Sequence, residues 1–236
     1  MKLSDLNRIR KAREAARQLG GLSSLLLNPF SEDLVKWDPI KARFRRRVGL
    51  YWRTVSYRSI QAELRRLDAR IAGQLSLYND RLWSKQWTLK QWFDMSSQWI
   101  QNAQLIYGAL SLGGFKAAAE DATVQRRTER DLNFLEAFKD KLKQDLVSKV
   151  QADGRARAYI RSFHVTYHLL SQRVHRLAGY TEARRILTPA EHCRSRGNEE
   201  GCFEAAGRGW MPIKEMPPIG TLVCKQFCKC WIVYKK

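Results

Sequence analysis

The stretch Ile160-Arg-Ser-Phe-His-Val-Thr-Tyr-His-Leu-Leu-Ser-Gln-Arg-Val-His-Arg-Leu177 decides the fold class. Its apolar residues Ile160, Phe163, Tyr167, Leu170, Val174 and Leu177 recur at steps of 3, 4, 3, 4 and 3, which only a helix gathers onto one face. The seam is close to a heptad and too short for an extended coiled coil. Upstream, Leu132, Leu135, Phe138, Leu142 and Leu146 step by 3, 3, 4 and 4, and Leu64, Leu67, Ile71 and Leu75 make another stripe. Thr88 is the expected N-cap of a helix to about Leu112, with Trp92, Met95, Trp99 and Ala103 on one face and Gly113-Gly114 as its stop. Arg43-Phe-Arg-Arg-Arg47 reads as the opening of a long helix to about Asn79. No strand-like alternation shows before residue 210. The expectation is an all-α elongated helical bundle over residues 41–187.

Outward from that body the texture changes on both sides. Residues 1–40 read as a basic amphipathic helix over 2–19, ended by Gly20-Gly21, followed by an extended docking arm from Gly21 to Pro39. Leu25, Leu26, Leu27 and Phe30 of that arm need a cover, supplied by the body or by a partner. Beyond Leu187 the helical period stops, and four of the six prolines fall between Pro189 and Pro218. Trp210-Met-Pro-Ile213 and Trp231-Ile-Val-Tyr234 are short apolar runs suited to a β-hairpin. Residues 188–236 are therefore expected to form a small Cys-rich C-terminal module of zinc-ribbon-like character.

The composition narrows the function classes. The 236 residues carry 43 Lys/Arg against 23 Asp/Glu, a formal net charge of +20, and 35 of those cations against 18 of those anions precede Thr188. Such an excess favours nucleic acid or an acidic protein surface. Arg43, Arg45, Arg46, Arg47, Lys85 and Lys90 are the candidate nucleic-acid contacts, the two lysines interleaved with Trp83, Trp87 and Trp92. That interleaving can stack single-stranded bases, although tryptophans at helical spacing are more often core, and the core reading is preferred. No run of about 18 apolar residues exists, so no membrane span is expected. The basic N-terminus lacks an apolar signal core, so the chain is expected to be made in the cytoplasm.

All five cysteines fall in the last 44 residues: Cys193, Cys202, Cys224, Cys228 and Cys230. A terminal module too short to bury its own core needs a staple, and clustered thiols supply one. With His192 there are six candidate ligands for a tetrahedral structural zinc, arranged as Cys193/Cys202 plus two of the three late thiols. The eight-residue gap in the first pair is wider than in zinc knuckles, and disulfides or free thiols remain open as alternatives. A closed thiolate shell leaves no position for substrate, so catalysis is not implied. His164, His168 and His175 share an azimuth on the last long helix, but with Arg161 and Arg173 beside them a polar face is preferred over a metal site. Neither a Gly-rich phosphate loop, nor a His-Glu-x-x-His, nor a nucleophile elbow is present, and no enzyme is expected. Charged runs such as Glu129-Arg130-Asp131 read as surface ion pairs.

Thr188-Pro-Ala-Glu-His192-Cys193, Gly209-Trp210-Met-Pro212-Ile213, Pro217-Pro218-Ile-Gly220 and Cys224-Lys-Gln-Phe-Cys228-Lys-Cys230 follow in that order. The pattern resembles the C-terminal ending of tailed-phage minor head proteins, the Mu F-like phage head morphogenesis family. It is specific over about 50 residues and architectural over the rest. Relatives commonly space the first two cysteines by two residues and carry a His where Cys224 stands, so the ligand set stays open here. The resemblance implies a low-copy virion protein inside the capsid near the portal vertex, assisting head assembly. Its partners would be the portal or major coat protein and non-specifically bound double-stranded DNA, with a homo-oligomer as a further option. The alternative is a free non-specific nucleic-acid-binding protein with a zinc-knuckle-like tail.

Overall fold

A computed structural model describes residues 6–8, 10–11, 14, 35–38, 40, 43–48, 50–187, 201–224, 228 and 230–236. Among these residues the architecture is a helical bundle carrying a small C-terminal region of strands with a cysteine cluster. The expected N-terminal helix is helical at 6–8, 10–11 and 14, and most of the expected docking arm lies outside the described residues.

The bundle is built from α1 (Tyr57–Trp83), α2 (Leu89–Leu112), α3 (Phe115–Glu120), α4 (Ala122–Lys143) and α5 (Lys149–Leu177). Each long helix starts on a side-chain cap: Ser56 for α1, Thr88 for α2, Asp121 for α4 and Ser148 for α5, with full capping boxes at Thr88/Gln91 and Ser148/Gln151. Gly113 closes α2 at φ 86°, the left-handed cap that glycine adopts without strain.

Helix α2 is the centre of the bundle, packed against α1, α3, α4 and α5. Its second half is buried all round, from Asn102 to Ser111, and includes the polar side chains of Asn102, Gln104 and Ser111. Apolar stripes from α1 (Leu64, Leu67, Ile71, Leu75) and α5 (Ile160, Phe163, Tyr167, Leu170) close on it, so those two stripes occupy the core as their spacing predicts. Two buried polar networks cross the interfaces. Trp92 Nε1 donates to Asn79 Oδ1 at 2.9 Å, and Asn79 Nδ2 donates to Asp153 Oδ1 at 2.8 Å, tying α2, α1 and α5 together. Asp131 accepts from Gln104 Nε2 at 2.7 Å and from Ser162 Oγ at 2.8 Å, tying α4 to α2 and α5.

Several expectations are corrected. Arg43–Val48 is not helix but β2, flanked by β1 (Val35–Asp38) and β3 (Tyr51–Thr54) in an antiparallel sheet of order β1-β2-β3. In Arg-Phe-Arg-Arg-Arg-Val only Phe44 is apolar within the first five positions, and it is buried. One inward aromatic on a strand suffices where a helix would need a stripe. Strand β4 (Glu182–Ile186) also precedes residue 210. Leu146 and Leu177 lie beyond the buried parts of their stripes and are exposed, since α4 ends at Lys143 and α5 at Leu177. Met95 is exposed, the buried face of α2 running through Trp92, Ser96, Ile100 and Ala103. Asp131 is a buried hub rather than a surface ion pair, because Gln104 and Ser162 supply the donors that water would otherwise provide.

The C-terminal region pairs β4 with β5 (Trp210–Pro212) on one side and β6 (Trp231–Lys235) on the other, both antiparallel, with the short α6 (Cys202–Gly207) alongside. It docks on α5. Gln172 Nε2 donates to the carbonyls of Ile213 and Met216 at 2.9 and 2.8 Å, and the His175 ring stacks on Tyr234 with centroids 4.0 Å apart. Gly220 has φ 87°, and a Cβ there would meet Val165 Cγ2 at 2.3 Å, so both its conformation and its closeness to α5 exclude a side chain. A cavity of about 540 Å³ remains where the first sheet, the bundle and β6 meet, lined by Phe44, Val55, Leu110, Val174 and Tyr234 among others.

Candidate metal centre

Among the described residues, the core cluster of the C-terminal region has eight buried members: Ala183, Cys202, Ile213, Met216, Ile219, Cys224, Cys230 and Ile232. At about 25 cal/mol per Å² of apolar burial, so small a core offsets little of the entropy lost in ordering the loops between its strands. Three thiols converge inside it. Cys202 begins α6 immediately after Gly201, and Cys230 leads directly into β6, with Cys228 two positions before it. The ligand atoms of Cys202, Cys228 and Cys230 all lie within 4.8 Å of one another, and the Sγ atoms of Cys202 and Cys228 are 3.5 Å apart. That separation is too long for a disulfide bond of about 2.05 Å. It is close to the roughly 3.8 Å edge of a tetrahedron with metal–sulfur distances of about 2.3 Å. The donor set is soft, partly or fully buried and contiguous, and it fits a thiolate-bound metal.

Of the five thiols singled out by sequence, the structure brings three together. Cys224 is buried in the same core but does not join the group. Cys193 and His192 lie outside the described residues. No other group of three or more His, Cys, Asp or Glu ligand atoms gathers in this way among the described residues.

The Cys202 and Cys228 thiols are both pushed above the ordinary thiol range. The Cys202 thiol is pushed up mainly by its hydrogen bonds to Cys228 and then to Cys230, with burial adding to both. Against this acts one cation, Arg185, whose Nη1 sits 3.4 Å from Cys202 Sγ and 3.8 Å from Cys228 Sγ. It points inward because β4 alternates, with Ala183 and Arg185 buried and Arg184 exposed. Sequence reading missed it. An arginine in Glu-Ala-Arg-Arg-Ile looks solvated until the strand pairing shows that its second arginine shares the inner face with Ala183.

The histidines of α5 are half-buried and packed against other side chains rather than forming a solvated face. His164 Nε2 lies 2.9 and 2.8 Å from the two carboxylate oxygens of Asp68 on α1, and the Tyr107 hydroxyl of α2 donates to the same carboxylate. His168 packs edge-on to Tyr167 and stacks on His164, and burial pushes its pKa down to about 3, with the His164 and Arg185 charges adding to the effect.

The candidate nucleic-acid contacts occupy two places. Arg43, Arg45, Arg46 and Arg47 are on β2, and Lys85 and Lys90 are at the α1–α2 connection. Between them runs the 27-residue α1, about 40 Å of helix at about 1.5 Å per residue. Arg45 Nη2 donates to the Trp52 carbonyl at 3.2 Å, and Lys90 pairs with Asp94 at 2.6 Å. The tryptophans near Lys85 and Lys90 are packing residues: Trp92 is buried, and Trp87 lies against Tyr78 with the Arg81 guanidinium 4.8 Å from its ring. No described helix is long and apolar enough to cross a membrane.

No family model, curated protein or solved structure matches this chain.

Proposed function

We propose that the chain is a structural protein of tailed-phage head assembly, a minor head protein rather than an enzyme, whose C-terminal module is clasped by zinc. The observation that carries the reading is the convergence of Cys202, Cys228 and Cys230 inside a core too small to hold itself, within the segment that bears the phage-head pattern. Cys202, Cys228 and Cys230 would hold the ion, with the fourth donor drawn from Cys193, His192 or Cys224. Zinc bound this way supplies a cross-link and no open coordination position, which suits a rigid contact knob. The chain's own residues do the rest: Gln172 and His175 fix the knob to α5.

The basic body is the DNA-facing part in this reading. With 35 cations against 18 anions before Thr188, it would bind phosphates through counterion release, without sequence preference and with steep salt dependence. The knob and the N-terminal segment would meet portal or coat protein near the portal vertex. Quantitative mass spectrometry of purified particles tests this directly. A copy number tracking the portal is expected. Absence from particles, with salt-dependent DNA binding retained, would instead identify a free nucleic-acid-binding protein.

A further inference from the structure

Arg185 is the largest fully buried side chain among the described residues, 1% exposed, and it has no carboxylate partner in any ion pair among them. Its Nη2 donates to the carbonyls of Pro217 and Pro218, its Nη1 faces the sulfurs of Cys202 and Cys228, and its Nε is buried without an acceptor. A guanidinium stays charged in proteins, and burying a charge without a counter-charge is strongly unfavourable. Carbonyl dipoles do not supply an anion. A divalent ion held by three thiolates does, because that shell bears one net negative charge, and two where the fourth donor is also a thiolate, so one guanidinium offsets one unit of it.

We propose that Arg185 is the buried counter-charge of the metal centre, a positioning residue that makes the thiolate shell tenable and transmits metal occupancy to the docking of the module. The inference rests on the metal reading given above. The transmission path is short: the other arm of the guanidinium holds Pro217 and Pro218, and the same turn continues through buried Ile219 to Gly220, which lies against Val165 of α5. A metal that fixes the sulfurs fixes Nη1, and the rigid fork then fixes the turn that touches the body. The Pro217-Pro218-Ile-Gly220 motif thereby gains a role: it supplies two acceptors for a cation that also faces the cluster.

The test is zinc affinity of the full chain, measured by competition with a chromophoric chelator under reducing conditions, for wild type, R185K and R185M. Second-layer partners of metal ligands are typically worth 10–100-fold in affinity. R185M, similar in length and uncharged, is expected to weaken zinc binding by about that factor. R185K, which keeps the charge and loses the fork, is expected to fall between R185M and wild type. Amide exchange over residues 213–222 should quicken in R185M even at saturating zinc. Equal loss in R185K and R185M would reduce the residue to packing and overturn the proposal, as would wild-type affinity in R185M. A wild-type chain that takes up no metal would overturn the metal reading and this inference with it. Should R185M not fold, the guanidinium itself reports: Arg185 Nη protons of the wild type should exchange slowly only when zinc is bound, and exchange indifferent to zinc would contradict the assignment.

Discussion

The helical body from Tyr57 to Leu177 and the C-terminal region from Glu182 to Lys235 share one chain and are held by different physics. The body removes large apolar side chains from water: Leu67, Ile71, Ile100, Leu105, Ile106, Leu135, Phe163 and Leu170 are all at most 1% exposed. Among the described residues, the C-terminal region has no such reserve. Its buried set mixes three apolar isoleucines, one methionine and one alanine with three cysteines, and its largest fully buried side chain is an arginine. A hydrophobic interior tolerates truncation in proportion to volume lost. In the metal reading proposed above, an interior built on thiols and a cation would depend on one chemical event, the arrival of an ion that draws the sulfurs into an anionic shell.

That contrast can be broken most forcefully at the cluster. Chelation, or Cys202→Ser, is expected to unfold the C-terminal region and leave the body helical. In zinc-finger peptides the corresponding binding free energy is about 10–16 kcal/mol at neutral pH. Far-UV circular dichroism with limited proteolysis reads both halves of that outcome. In the body, Phe163→Ala should cost about 3–5 kcal/mol in denaturant unfolding, with zinc affinity unchanged. A large loss of zinc affinity in that variant would mean that the two regions are not separable.

Smaller effects sharpen the boundary between them. Gly220→Val places a β-branched side chain at φ 87°, against Val165, and is expected to weaken docking by about 1–3 kcal/mol. Faster exchange along 213–222 with unaltered zinc stoichiometry would show it. His168 supplies a pH dependence with a definite sign. Its pKa is lowered from 6.5 to about 3 in the fold, so the unfolded chain binds the extra proton, and stability falls as pH drops from about 6.5 toward about 3. Linkage puts the loss between pH 7.5 and pH 5 at up to about 2 kcal/mol, and His168→Phe should flatten that part of the curve. Thr88→Ala removes one capping box and should cost about 1 kcal/mol with no effect on the module.

Much of the body was legible because its helices advertise a period. Leu64 to Leu75 and Ile160 to Leu170 are buried where their spacing puts them, and Thr88 caps α2 as read. The failures have specific causes. Helix α2 is central, so its buried half includes Asn102, Gln104 and Ser111, which no amphipathic rule assigns to a core. Asp131 is buried for a related reason, its partners arriving from helices 27 and 31 residues away in sequence. Strands β2 and β4 are arginine-rich and show too few apolar positions for alternation to register. Of the candidate centre, the cysteines were visible as a cluster from spacing alone. Which of them converge was not, since Cys202 and Cys228 are 26 residues apart and meet only through the sheet. Arg185 left no signal, because its inward orientation depends on pairing between β4 and β6.

In the proposed reading a bound metal, and not apolar burial, holds the C-terminal region together. Hydrogen–deuterium exchange of the full, reduced chain, with and without a zinc chelator, tests it most directly when read beside native mass spectrometry for bound metal. One zinc per chain is predicted, with chelation abolishing protection across residues 182–235 and sparing 57–177. A metal-free chain whose C-terminal region remains protected would overturn the metal reading.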